Sequence, residues 1–276
     1  MIEHKGISWR KYQGALIPDI DDQPIVVTEE DARELLKKSG AYLLRWISDF
    51  DTKHETDFWY VIKDSSPDLD KLSSNTRSKV RRGLKNCNIK KVKASFIAEN
   101  AYQVYSRAYE RYEAGQTPIE ERSFSDDIMK TDPDVWDFWA VFDRNDEIVA
   151  YSQNRRVGNH CIYTTIKFVP EALKLYSSYA LFYEMNNYYL NILHLAYVND
   201  GARCIHHQTN IQGYLIDKFH FRKAYSVLHI AYRADIGILL ALLYPFRSMI
   251  REFQSTFMKR LSSLLLQEQI RRNCAN

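Results

Sequence analysis

Two stretches of this sequence hold side chains whose types and spacing can do chemistry. The first is Ile205-His206-His207-Gln208-Thr209-Asn210. A neutral imidazole titrates near pH 7, so it can take a proton from an attacking ammonium. On a strand, adjacent side chains point to opposite faces, so only one of His206 and His207 can meet a substrate. A structural hydrogen bond is the plainer role for either. Asn210 stands where a helix cap is expected. The second stretch is basic: Arg77, Lys79, Arg81, Arg82, Lys85, Lys90, Lys91 and Lys93 follow one another with no acid between them. On a helix Arg77, Arg81 and Lys85 share a stripe, where each like-charged pair costs roughly 0.2–0.5 kcal/mol. An external anion relieves that cost, and guanidinium forks, Arg82 included, suit phosphate. A tRNA-borne donor, a nucleotide-linked sugar or the diphosphate of a lipid-linked precursor would each fit. So would a solvated face paired with acids elsewhere.

These residues must be positioned by secondary structure. Thr28-Glu29-Glu30-Asp31 opens a short helix that Gly40 stops. Tyr42–Trp46 and Phe58–Ile62 are aromatic and β-branched, and the polar stretch between them makes the pair read as a hairpin with a long loop. The basic stretch starts as a helix from about Asp68 to Lys85, after the breaker Asp64-Ser65-Ser66-Pro67. Ala101, Val104, Tyr105, Ala108 and Tyr112 give an amphipathic helix ending at Gly115. Trp136–Phe142, Glu147–Ser152 and His160–Phe168 then read as a three-strand meander with tight turns. The remaining order is a long helix over Tyr179–Val198, a strand Ala202–His207, a short helix Gln212–Lys218 and a strand Ala224–Tyr232.

Composition bounds the function classes. With 276 residues and 45% hydrophobic content the chain has material for a substantial core, as one large domain or two small ones. Lys and Arg number 38 against 35 Asp and Glu, so the whole-chain balance points to no partner. Cys87, Cys161, Cys204 and Cys274 form neither a CxxC nor a Cys/His spacing, against a zinc site or a disulfide framework. The start lacks a signal-peptide pattern, and the longest apolar run, Ile236–Tyr244, is short of a membrane span. The expected location is cytoplasmic.

The order helix, three strands, helix, strand, helix, strand carries a resemblance. The stretches WDFWAVFDRNDEIVAYS, CIYTTIKFVP and ARCIHHQTNIQGYLIDKFHFRKAYSVLHIAYR resemble the GNAT-like acyl-CoA N-acyltransferase superfamily. There an Asn-containing turn opens a short helix that ends in a Gly-Phe pair; here the turn holds Asn210 and the pair is His220-Phe221. Upstream, LDKLSSNTRSKVRRGLKNCNIKKVKAS followed by YQVYSRAYERY resembles the linking region of the FemAB-like aminoacyl transferases, with its basic helix. The fold so implied is α/β (α+β), with a mixed, largely antiparallel sheet flanked by helices. Its parts would be a reduced N-terminal acyltransferase-like part over 1–94, a GNAT-like domain over 95–233 and a C-terminal helical arm over 234–276.

The resemblance implies an N-acyl or aminoacyl transferase acting on an amine, such as an amino sugar or peptide of a cell-envelope precursor. Acyl-CoA would be the co-substrate, with aminoacyl-tRNA as the alternative donor, and no tightly bound cofactor or metal. A backbone amide near Tyr163–Lys167 would hold the oxyanion, and His207 or His206 would remove the proton. The superfamily's usual tyrosine acid falls at Ile216, leaving Tyr214 as the nearby phenol. The stretch matching the CoA pyrophosphate loop, Pro170–Tyr179, has no glycine; Ser177 and Ser178 are its candidate anion donors. Those departures equally fit a catalytically inactive module that binds an anionic polymer or nucleic acid. Beyond the last strand, Ile238, Leu239, Leu242, Phe246, Ile250, Phe253, Phe257, Leu261 and Leu265 recur at mostly three- and four-residue steps, interspersed with Arg247, Arg251, Lys259 and Arg260. This is an amphipathic arm broken near Pro245, suited to packing on its own domain, to a homodimer or to peripheral membrane contact.

Overall fold

The computed structural model describes residues 1–111, 117–205, 211–250 and 255–274. Eleven strands occur among them: β1 (Ile2–His4), β2 (Ile7–Tyr12), β3 (Ala15–Pro18), β4 (Leu43–Thr52), β5 (Phe58–Lys63), β6 (Asn88–Val92), β7 (Trp136–Phe142), β8 (Ile148–Val157), β9 (His160–Phe168), β10 (Tyr197–Ala202) and β11 (Arg222–Tyr232). With the helices beside them they make a mixed α/β fold whose sheet is largely antiparallel. The chain divides into two compact units, each assembled from segments distant in sequence.

The first unit combines Met1–Val61 with Lys223–Asn276 and the described part of 202–210. β1, β2 and β3 form an antiparallel meander, β3 pairs parallel to β4, and β4 pairs antiparallel to β11. The helix Glu29–Ser39 begins on a capping box: the Asp31 amide donates to Thr28 Oγ1 at 3.2 Å, and the Thr28 amide donates to Asp31 Oδ2 at 3.2 Å. Gly40 ends it in the left-handed conformation, φ 67°. Its Ala32, Leu35 and Leu36 bury against Trp9, Leu16 and Leu44, worth roughly 1.5–3 kcal/mol for each large side chain. The expected β4–β5 hairpin does not form. β11 lies between them, because pairing both strands with the last one satisfies more backbone than a long-looped hairpin.

Past β11 the arm folds as helices Ala234–Leu243, Arg247–Ile250 and Thr256–Cys274, with the 3₁₀ turn Tyr244–Phe246 at Pro245. Leu240, Ile250, Leu261 and Leu265 form their shared core. Ile238, Leu239, Leu242, Phe246 and Met249 are exposed. Among the described residues no helix is long and apolar enough to cross a membrane.

The second unit comprises Ile62–Gly201 and Ile211–Arg222. β6, β7, β8 and β9 run antiparallel in that order, and β10 adds to β9 in parallel. Helices Ala94–Asn100, Tyr102–Ala108 and Glu121–Met129 cover this sheet through Ile97, Ala101, Val104, Phe124 and Ile128, packed on Phe138, Ala140 and Tyr151. The basic helix is Ser74–Asn86, capped by Ser73, whose Oγ accepts the Thr76 amide at 3.2 Å. It lies against the helix Ser177–Asn186 at Gly83, where a β-carbon would stand 2.4 Å from the Tyr176 carbonyl oxygen. The helix expected to run to Val198 instead passes into a π-helical turn, Asn187–Ile192, and is followed by His194 at φ 52°. The next strand is therefore Tyr197–Ala202, five residues earlier than the sequence pattern placed it. Asn199-Asp200-Gly201 has turn-like composition, yet β10 runs through it, and pairing on β9 reaches as far as Asn199.

Candidate functional site

The site grows from the way β9 and β10 part. Their parallel register holds for His160–Tyr197, Cys161–Val198 and Ile162–Asn199. β9 then continues to Phe168 with β8 on its other side, Ala150 opposite Phe168. The backbone of β9 from Tyr163 onward thus leaves β10 at the level of Asp200. Parallel strands that diverge expose amides on one edge, and a reacting carbonyl can accept from such an amide.

Around the divergence the side chains are polar and buried. The Tyr163 hydroxyl donates to Asn186 Oδ1 at 2.8 Å. Asn186 is fully buried, and its Nδ2 has no hydrogen-bond partner among the described residues. Asp200 is half-buried with no ion-pair partner among the described residues, and desolvation pushes its carboxyl up to about 8. Tyr163 is raised well above the ordinary phenol range by burial, with the fields of Cys161 and Asp200 adding to it, which places Asp200 within electrostatic reach of that phenol. Behind them Trp139 Nε1 donates to the Tyr189 hydroxyl at 3.1 Å, Asn154 Nδ2 donates to the same oxygen at 3.2 Å, and Ser152 Oγ donates to Asn154 Oδ1 at 2.7 Å. Tyr189 sits in the π-helical turn. A chain of hydrogen bonds of this kind makes the floor of the divergence rigid.

A second group surrounds the start of the helix Ser177–Asn186. Tyr176, in the glycine-free stretch that matches the CoA pyrophosphate loop, takes a left-handed conformation, φ 61°, of the kind glycine adopts freely. Ser177 is fully buried, and its hydroxyl donates to the Ala172 carbonyl at 2.8 Å, so the side chain is structural. Ser178 Oγ lies 3.2 Å from the Tyr214 hydroxyl. Burial raises the Tyr214 phenol far above its ordinary range, the Ser178 hydrogen bond opposing that rise only in part. Such a phenol stays protonated, as a proton donor must. From the basic helix, Lys79 stands 5.3 Å from the Tyr179 ring and Arg82 5.8 Å from the Tyr176 ring. Cations beside the positive end of a helix dipole are unfavourable without an anion.

The remaining expected residues divide. Arg77 is half-buried and paired with Asp70 at 3.3 Å. Arg81, Arg82 and Lys85 are exposed along one open groove with Ser74 and Ser78, and no carboxylate pairs with them among the described residues. Lys91 is on β6, paired with the buried Asp137 at 2.7 Å. His220 supplies the left-handed residue, φ 57°, that ends the helix Ile211–Phe219, and the Phe221 amide donates to the Leu215 carbonyl at 3.3 Å. His206, His207 and Asn210 lie outside the described residues. Asp200 was missed because it fell between the expected helix and the expected strand, and Asn186 because nothing within a helical window marks one buried amide; the polar triplet Asn199-Asp200-Gly201 between apolar runs was the available signal for the first.

No known protein family and no curated protein is matched by this sequence. Solved structures share its fold. FemX superposes with a TM-score of 0.57 at 9% identity, over 85% of each chain. L-PGS from Bacillus licheniformis gives 0.53 at 12% identity, over 96% of this chain and 85% of that one. The C-terminal domain of a putative lysylphosphatidylglycerol synthetase from Agrobacterium fabrum gives 0.51 at 13% identity, over 86% and 84%. The fold is GNAT/FemAB-like. At such identities the likeness is one of backbone architecture.

Proposed function

We propose that this protein transfers an acyl or aminoacyl group from an activated ester or thioester to an amine. The observation that carries the reading is the parting of β9 and β10 beside Asp200. A neutral amine attacks the donor carbonyl, and a backbone N–H on the free edge of β9, within Tyr163–Lys167, donates to the tetrahedral oxyanion. Asp200, when ionised, takes the proton from the ammonium. The Tyr214 phenol gives a proton to the leaving oxygen or sulfur, and Ser178 orients it. His206 and His207 are kept as further candidates for the base, and Asn210 for the donor site.

The donor carries phosphate. Lys79 and Arg82 beside the Ser177–Asn186 helix start, with Ser178, favour an anionic group there, either the pyrophosphate of acyl-CoA or the backbone of an aminoacyl-tRNA. Without glycine, and with the basic helix packed on Tyr176, that turn fits a CoA pyrophosphate only through side chains. The unpaired Arg81 and Lys85 extend the positive surface and favour the larger, RNA-borne donor. A neighbour named for lysylphosphatidylglycerol, a product with a lysyl group, favours the same choice. The acceptor would be an amine of an amino sugar or peptide in an envelope precursor. The same free cations support a second reading, an inactive module that holds an anionic polymer.

The test is single-turnover transfer from acetyl-CoA and from an aminoacyl-tRNA mixture to model amines, followed by mass spectrometry. Asp200→Asn should lower the rate about 10²–10⁴-fold while donor binding persists. Donor binding with no transfer by the wild-type protein to any amine would leave the binding-module reading in its place.

A further inference from the structure

Lys63, the last residue of β5, is a buried cation with no ion-pair partner among the described residues. It is 4% exposed. Its Nζ donates to Ser65 Oγ at 3.0 Å, and among the described residues no carboxylate lies within ion-pair distance of it. The two nearest candidates are engaged elsewhere. Asp64 holds Arg222 at 2.5 Å, and Asp68 caps the Asp70 amide at 2.9 Å and faces Lys71 at 3.8 Å. Burial lowers the Lys63 ammonium to about 8, with Asp64 opposing that shift and Lys71 adding to it. An unpaired buried charge is costly, and proteins normally give it a partner or neutralise it.

Beside this amine is a cavity of about 120 Å³, with Ser65, Ser66, Asp68 and Lys71 on its polar side and Tyr183 and Phe219 on its apolar side. His220, in its left-handed conformation, also lines it. The volume is of the order of a small molecule, on the scale of cavities known to take one. The lining carries two ammonium groups, three hydroxyls and one carboxylate, so it is short of one negative charge.

We propose that this cavity binds a phosphoryl group, with Lys63 as its principal partner and Ser65, Ser66 and Lys71 donating to the remaining oxygens. The site is separate from the phosphate-binding surface invoked above for the acyl donor, since no residue of the Lys79, Arg82 and Ser178 group lines it. It does not depend on the protein being a transferase. The apolar walls and small volume fit one phosphate, free or at the end of a short ester, rather than a diphosphate.

The experiment is calorimetric titration of the full chain with orthophosphate, with O-phosphoethanolamine as a short phosphomonoester and with acetate, at fixed pH and ionic strength. Saturable binding of orthophosphate or the ester is expected, with Lys63→Met weakening it at least about tenfold and Arg122→Ala, an exposed cation outside both phosphate sites, leaving it intact. Tighter binding of orthophosphate would identify the free ion, and tighter binding of the ester a ligand-borne group. Lys63→Met should melt no lower than the wild type, because it removes an unpaired charge and keeps the stem. If that variant fails to fold, the dimethyl-lysine resonance of Lys63 in the wild type is followed instead. Its midpoint should stand near 8 without ligand and rise with phosphate, since an anion favours the ammonium. Absence of saturable binding of either phosphate compound below about 10 mM, equal binding by Lys63→Met, or a midpoint that phosphate does not move overturns the proposal.

Discussion

Two carboxyls in this chain are shifted in opposite directions, and the pH dependence of stability separates them. Desolvation takes Asp200 up to about 8. Its folded pKa is above the unfolded one, so the folded state binds more protons and stability is lost as pH rises from about 4 through 8. Asp200→Asn, which stays neutral, should therefore gain stability relative to the wild type on going from pH 5 to pH 9 in urea titrations. Burial alone would raise Glu268, but hydrogen bonds from Arg271, Arg272 and Tyr232 override it and hold it down at about 2. Its contribution is present above the unfolded pKa and is lost as pH falls from about 4.5 through 2. Glu268→Gln should accordingly be less stable than the wild type at pH 7, with the gap closing towards pH 2. Neither shift is legible in sequence. Asp200 needs a strand to desolvate it, and Glu268 needs Tyr232, 36 positions away, to hold it.

At the level of elements, the contact between the basic helix and the Ser177–Asn186 helix depends on one missing methyl. In a free helix Gly→Ala gains about 0.8–1 kcal/mol. At Gly83 the new β-carbon would meet the Tyr176 carbonyl at 2.4 Å, a backbone atom that cannot step aside. Overpacking of that kind costs about 1–3 kcal/mol and should prevail, so Gly83→Ala lowers the melting temperature. If Lys79 and Arg82 hold the donor's phosphate, the same variant should weaken donor binding. The arm makes the reverse case. Leu265 is fully buried in the arm's core, so Leu265→Ala should cost about 2–5 kcal/mol. Ile238 and Leu242 are 65% and 67% exposed, so Ile238→Lys and Leu242→Lys should stay within about 0.5 kcal/mol in denaturant unfolding. Three- and four-residue spacing announced the arm but could not say which side of it meets the protein, because both sides are apolar.

For the whole molecule, the question is which anion the positive surface serves. Binding of tRNA through Arg81, Arg82 and Lys85 would fall steeply between 50 and 200 mM salt, with the slope of log K against log salt reduced by about 0.7–0.9 for each contact removed. Binding of acyl-CoA in a small pocket would change far less. Filter binding of wild type and Arg81→Ala/Lys85→Ala at several salt concentrations decides between them. The α/β class, the meander β7–β8–β9, the capped helix before Gly40, the basic helix and the arm were all determined by the sequence alone. Each rests on local physics: period of apolar residues, capping chemistry, turn residues and charge along one face. The strands β1 to β3, the passage of β11 between β4 and β5, and the start of β10 at Tyr197 were decided only by tertiary structure. β1 to β3 pair with one another and reach the rest of the sheet through β3 on β4, whereas β11 and β10 rest on pairing with strands far away in the chain, and a partner's free backbone groups override local composition when they are otherwise left unsatisfied. The candidate site depends on that second kind of information. Asp200 comes within electrostatic reach of Tyr163 where β10, after three residues with β9, leaves it, a register that no short window of sequence contains.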